Sequence, residues 1–158
     1  LALARLDREV IAARPHVVVV MYGTNDSWVD EGKKESRLSE RQFEDNLRKL
    51  VRRLQDAKIE VVLMTEPRFG EKARRNGLGE DPNVRLARFM EITRRVARER
   101  RTVLVDHFAG WEAEQGRGRA LQAWTTDGVH PNAEGHADLA GRLVPALAPV
   151  VSRLESTL

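Results

Sequence analysis

The sequence predicts an α/β protein in which a parallel sheet is covered by helices on both faces. Two observations carry this. Segments 16–22 (His-Val-Val-Val-Val-Met-Tyr) and 59–65 (Ile-Glu-Val-Val-Leu-Met-Thr) are β-branched, nearly continuous apolar runs of strand length, the pattern of strands that lack a solvent face. Between them, Phe43, Leu47, Leu50, Val51 and Leu54 recur every three to four residues, forming one apolar stripe of a helix. Parallel neighbours need a crossover connection, usually a helix, and crossovers that hide both faces account for strands apolar on both sides.

Each element has a local reason. Leu3, Leu6 and Val10 give residues 1–14 the spacing of an amphipathic helix, which Pro15 ends before the first strand. Gly23 closes that strand. Ser39 with Gln42 three residues on is a capping box opening the next helix, which runs to Ala57. The second strand stops at Glu66-Pro67, and Gly70, Gly77 and Gly79 mark a long, charged loop, placed either over a site or as a disordered surface excursion. Asp81-Pro82 supplies an N-cap and a first helical residue for a helix through Leu86, Phe89, Met90 and Val96. A third strand is expected over 102–106, then a short helical piece around Trp111, a polar turn over 125–132, and a last helix from about Ala133 to Leu147 that continues past Pro149. No repeat or linker interrupts the series, so residues 1–158 read as a single domain.

Composition narrows the function classes. An apolar fraction of 41% is enough to bury a core. The 27 basic and 24 acidic residues are mixed along the chain, so the net charge of +3 implies no nucleic-acid partner. The arginines at 94, 95, 98, 100 and 101 read as a solvated helix face. The absence of cysteine removes disulfides, thiolate zinc sites and a cysteine nucleophile together. No apolar run approaches the roughly 20 residues that cross a bilayer, so no membrane partner is expected. Because residue 1 already falls within a helical pattern, an upstream segment is expected, and compartment and oligomeric state are not readable.

In open parallel sheets the site lies beyond the carboxyl ends of the strands. That edge receives residues 23–26, 66–68 and 107–108. Two segments there carry chemistry: Gly23-Thr24-Asn25-Asp26 directly after a strand, and Asp127-Gly128-Val129-His130-Pro131-Asn132 directly before the final helix. Their order, spacing and contexts together resemble the SGNH hydrolases, the GDSL-like lipases and esterases, from about Pro15 to Leu147.

The resemblance implies a three-layer α/β/α fold with a flavodoxin-like parallel sheet, its N-terminal strands missing here, and a serine-dependent ester hydrolase that needs no cofactor or metal. His130 matches the general base and Asp127 its orienting partner, which would hold one imidazole tautomer and stabilise the imidazolium. Asn25 matches an oxyanion-hole donor. Gly23 and Asp26 support that loop, and Gly128 allows the tight turn behind His130. The departure is the nucleophile: the family's Gly-Asp-Ser motif and its glycine oxyanion donor do not precede Gly23. The chain is therefore expected to be truncated at its amino end, inactive alone, and less stable than its parent because the first strand's outer edge is uncovered. Ser27 is a poor substitute, since it would share a loop with its own oxyanion donor.

Tyr22, His107 and Trp124 are candidate substrate-lining residues, each with an equally good packing role. The expected partner is a small-molecule or carbohydrate ester, a sugar acetyl ester being the first guess by analogy of fold and motif. Two other readings stay open: a non-catalytic binding domain of the same fold, and a metal-dependent hydrolase using His107, His136 and Asp106 with His130 and Asp127. The six-residue gap between His130 and His136 argues against the second, because helix-borne ligand pairs sit three or four apart.

Overall fold

A computed structural model describes residues 2–156. The described elements are α1 (Ala2–Glu9), β1 (Val17–Met21), α2 (Thr24–Ser27), α3 (Glu40–Asp56), β2 (Glu60–Met64), α4 (Pro82–Arg100), β3 (Val103–Val105), α5 (His107–Gly116) and α6 (Ala133–Glu155), with 3₁₀ turns at Ile11–Ala13 and Leu121–Trp124. The three strands pair in parallel in the order β1-β2-β3, Val18 opposite Val61 and Leu63 opposite Leu104.

Strand alternation divides the side chains between two cores. Val18, Val20, Val61, Leu63 and Leu104 face α1, α3 and α4, where Phe43 and Phe89 pack at 4.9 Å between ring centroids. Val17, Val62, Met64, Val103 and Val105 face the opposite side and meet Leu143, Leu147 and Val150 of α6. The result is the expected α/β/α sandwich, because period-two strands that are apolar on both faces must be covered twice.

Local signals fix the helix ends. Ser39 Oγ accepts from Gln42 N at 3.1 Å while the Gln42 side chain accepts from Ser39 N at 2.9 Å, a complete capping box. Asp81 caps α4 with Pro82 at its first turn. Two details differ from the sequence reading, and a third agrees with it. The first helix stops at Glu9 and gives way to a 3₁₀ turn that closes on Arg14 in the left-handed region, φ 50°. Residues 24–27 form one helical turn rather than an open loop. The last helix does continue past Pro149, to Glu155, with both Pro145 and Pro149 inside it.

Within the described residues β1 pairs only with β2, so its outer edge is open. Val19 and Tyr22 are exposed beside it. Among the described residues no helix is long and apolar enough to cross a membrane.

Candidate active site

The turn between the second 3₁₀ segment and α6 builds a preorganised imidazole. Asp127 Oδ1 accepts from the backbone N–H groups of Val129 and His130, both at 2.9 Å, and Oδ2 lies 2.8 Å from His130 Nδ1. These backbone bonds and the bond to the ring hold the Asp127 carboxyl well below the usual carboxylate range, so it is ionised. With Nδ1–H committed to the carboxylate, Nε2 keeps its lone pair and is the nitrogen available to a reacting group.

The turn is held on every side. Gly128 occupies φ 86°, a conformation few side chains tolerate. Thr126 N donates to His130 O at 2.8 Å, and Thr125 and Pro131 form an antiparallel bridge. Asn132 caps α6 by accepting from Gly135 N at 3.0 Å, and its Nδ2 donates to Ala123 O at 2.8 Å.

Asn25 sits on the one-turn helix α2, directly after β1. Gly23 makes the sharp entry at φ 142°, and a Cβ there would lie 2.4 Å from Met90 Cε. Glu66, at the end of β2, accepts from both the backbone N–H and the hydroxyl of Thr24. Burial holds the Glu66 carboxyl above its ordinary range, against those two bonds. Burial also raises Asp26, which the nearby Arg37 opposes.

Asn25 and His130 line one cleft of about 630 Å³, with Asp127, Thr24, Trp28, Arg37, Glu66, Phe69, Lys72 and Arg74 among its other walls. The glycine-rich loop of residues 68–79 spans it. Gly70 N donates to Gly128 O at 2.8 Å at one end, and Gly77 N donates to Val29 O at 2.8 Å at the other. Glu71 accepts from Leu121 N and Gln122 N, and Arg74 lies 5.0 Å over the Trp28 ring. Of the two readings open in the sequence, a covering loop or a disordered excursion, the structure has the covering loop.

The remaining sequence candidates fall elsewhere. Tyr22 and Asp26 line a second, more apolar groove of about 760 Å³ beside the open edge of β1, together with Leu3, Phe43 and Leu47; Asn25 and Arg37 border both depressions. His107 is fully buried, its Nε2 3.3 Å from Met64 Sδ and its Nδ1 without a partner, and burial pushes its pKa down to about 4. Trp124 is buried against Trp111 at 5.2 Å. Ser27 is buried, and its hydroxyl donates to Thr24 O. Asp106 is occupied by Thr65, by Ala109 N and by a two-pronged bond from Arg94 at 2.7 and 3.0 Å. His136 is exposed on α6. No group of three or more His, Asp or Glu among the described residues is arranged to hold a metal ion.

Sequence reasoning noted the position of Glu66 without a role and gave none to Arg37 or Lys72. The polar spacing of residues 30–37 offers no periodic signal, so nothing in the sequence alone marks Arg37.

Comparison with known proteins shows the family. The family model described as GDSL-like lipase/acylhydrolase matches residues 1–137. An acetylxylan esterase from Geobacillus stearothermophilus is 32% identical over 142 residues, which are 87% of this chain but only 61% of the relative's length. The crystal structure of an acetylxylan esterase from the same organism superposes with a TM-score of 0.77 at 25% identity, covering 93% of this chain and 66% of that one. A lipase/acylhydrolase from Enterococcus faecalis shares the fold with a TM-score of 0.73 at 22% identity, covering 92% and 67%. The chain belongs to the GDSL-like lipase/acylhydrolase family, the SGNH hydrolases that its Gly-x-Asn-Asp and Asp-x-x-His-Pro segments resemble.

Proposed function

We propose that this chain supplies the general base and an oxyanion donor of a serine-dependent ester hydrolase that removes small acyl groups, with acetylated carbohydrate as the substrate class. The observation that carries the reading is that Asn25 and His130 share one cleft while Asp127 stands 2.8 Å behind the imidazole. The cleft also offers Trp28 and Phe69 as apolar walls on which a sugar ring or acyl group can rest. The acetylxylan esterases to which the chain is similar favour a sugar acetyl ester.

In this mechanism His130 Nε2 takes the proton of a serine hydroxyl as its oxygen attacks the ester carbonyl. The resulting oxyanion accepts a hydrogen bond from Asn25 Nδ2, and Asp127 stabilises the imidazolium. Collapse breaks the bond to the alcohol, which leaves with the proton from His130. Water then repeats the sequence on the acyl-serine, His130 again taking and returning the proton, to release the acid.

The serine belongs to a segment outside residues 1–158, on a strand paired with the open edge of β1. Support for this comes from that unpaired edge, from the apolar groove beside it, and from the chain spanning 61% of the length of its acetylxylan esterase relative.

The test is hydrolysis of p-nitrophenyl acetate and of an acetylated xylooligosaccharide by the full-length parent protein. Activity should fall by about 10⁴–10⁶ on His130→Ala, and the 158-residue chain by itself should be inert. Turnover by that chain which disappears on Ser27→Ala would refute the external serine; a fully active His130→Ala parent would refute the mechanism.

A further inference from the structure

Asn25 is solvent-exposed on a one-turn helix. A terminal amide torsion is broad, so an exposed asparagine left alone presents either its oxygen or its nitrogen to a neighbour. Only the nitrogen can donate to a developing oxyanion. Something must therefore choose the rotamer, and the chain places one group there that can.

Arg37 Nη1 donates to Asn25 Oδ1 at 3.3 Å. A guanidinium carries five donors and no acceptor, so it can only face the amide's oxygen. The planar amide then offers Nδ2 on its other arm. Arg37 is itself fixed, since Nε and Nη2 fork onto the two oxygens of Asp30 at 2.9 and 2.7 Å. The bond to Asn25 is the longest of the three, as expected when a neutral amide competes with a carboxylate for one cation. The backbone makes the arrangement rigid: Arg37 N donates to Trp28 O at 2.9 Å, Leu38 N to Asp26 O at 3.1 Å, and the Ser36 hydroxyl to Ser27 O at 2.9 Å. Residues 36–38 are thus stitched along the same turn that carries Asn25.

We propose that Arg37, held by Asp30, is a positioning residue that locks the Asn25 amide with its nitrogen toward the reacting carbonyl. The proposal rests on the reading of Asn25 as an oxyanion donor. Arg37 acts through Asn25: its cation keeps the donor aimed before the substrate arrives, which is where preorganisation gives its advantage.

The experiment is a double-mutant cycle in the full-length parent with p-nitrophenyl acetate. Arg37→Met keeps the length of the side chain and removes every donor; it should lower kcat about tenfold to a hundredfold, short of losing the oxyanion donor itself, with KM within about twofold. Asp30→Asn should lower kcat in the same direction by less. In an Asn25→Ala background, Arg37→Met should have almost no further effect, because nothing is left to aim. Should Arg37→Met fail to fold, Arg37→Lys and Asp30→Asn read the same coupling. Equal losses in both backgrounds, or an unchanged kcat, would overturn the positioning role while leaving the esterase reading intact. An Asn25→Ala parent with wild-type kcat would overturn the oxyanion reading, and this inference with it.

Discussion

The backbone N–H of Gly70 donates to the carbonyl oxygen of Gly128 at 2.8 Å, joining the loop over the cleft to the turn that carries His130. A Cβ on Gly128 would fall 2.3 Å from Ala73 N and 2.8 Å from Ala73 Cα, and the residue sits at φ 86°. Backbone cannot yield as a flexible side chain would. Gly128→Ala should destabilise the protein by about 1–3 kcal/mol through strain and displacement of the loop, seen as a lower midpoint in urea unfolding. Esterase activity of the parent should fall with it, since the same movement shifts His130.

Asp127→Asn separates geometry from charge. The amide oxygen can still accept from Val129 N and His130 N, so the turn and the melting temperature should change little. The amide nitrogen would face His130 Nδ1 as a donor, and the imidazole would turn to the tautomer protonated at Nε2. A base with its proton already in place cannot accept the serine's, so kcat should drop by about 10³–10⁴. A loss under about tenfold would show that the carboxylate does not set the tautomer.

His107 gives a pH dependence with a definite sign. Its folded pKa is pushed down to about 4, first by burial and then by the charge of Arg142, from the ordinary 6.5. Below pH 6.5 the unfolded chain takes up this proton and the folded chain does not, until about pH 4. The contribution is therefore complete above pH 6.5 and is lost as pH falls toward 4, by up to about 3 kcal/mol. Carboxylates held below their ordinary values, Glu44 by Arg95 and Asp106 by Arg94 against the pull of burial, act in a lower window, beneath about pH 4. Denaturant midpoints measured from pH 4.5 to 8 should show the slope, and His107→Leu should flatten it. Parallel curves for the two proteins would contradict the assignment.

Ser39→Ala removes the acceptor for Gln42 N and one side of the capping box at the start of α3. A loss of about 1 kcal/mol is expected, with little change in KM or kcat of the parent, because the bonds fixing residues 36–38 beside Asn25 come from the Ser36 hydroxyl, Arg37 N and Leu38 N rather than from the Ser39 hydroxyl. Calorimetry and a single rate measurement check both halves.

The parts of this molecule that could be read in the sequence are those fixed by neighbours in the chain. The Ser39 box, the Asp81-Pro82 entry and the Asp127–His130 pair each span no more than four residues, so identity and spacing suffice to specify them. That Asn25 lies at the cleft was legible because it directly follows a strand, whereas its role is what the family resemblance implies. What a strand end does not fix is which side of the sheet edge a following side chain takes. Tyr22 goes to the groove beside β1, and His107, one residue beyond the Asp106 cap, turns inward under α6 beside Met64. Trp124 was drawn from the cleft by Trp111, a partner thirteen positions earlier with no periodic relation to it. Arg37 was invisible for a similar reason: its place depends on hydrogen bonds to Trp28, Asp30 and Asn25 in an aperiodic segment.

Because Asp127 and His130 share one short turn, their alignment owes nothing to the far edge of the sheet. On the proposed reading the imidazole is already aligned by Asp127, and a segment seated beside Val17–Met21 would have to bring the hydroxyl and the second oxyanion donor. Two separately produced polypeptides, one carrying the proposed nucleophile segment and the other this chain, would then amount to a switch operated by mixing.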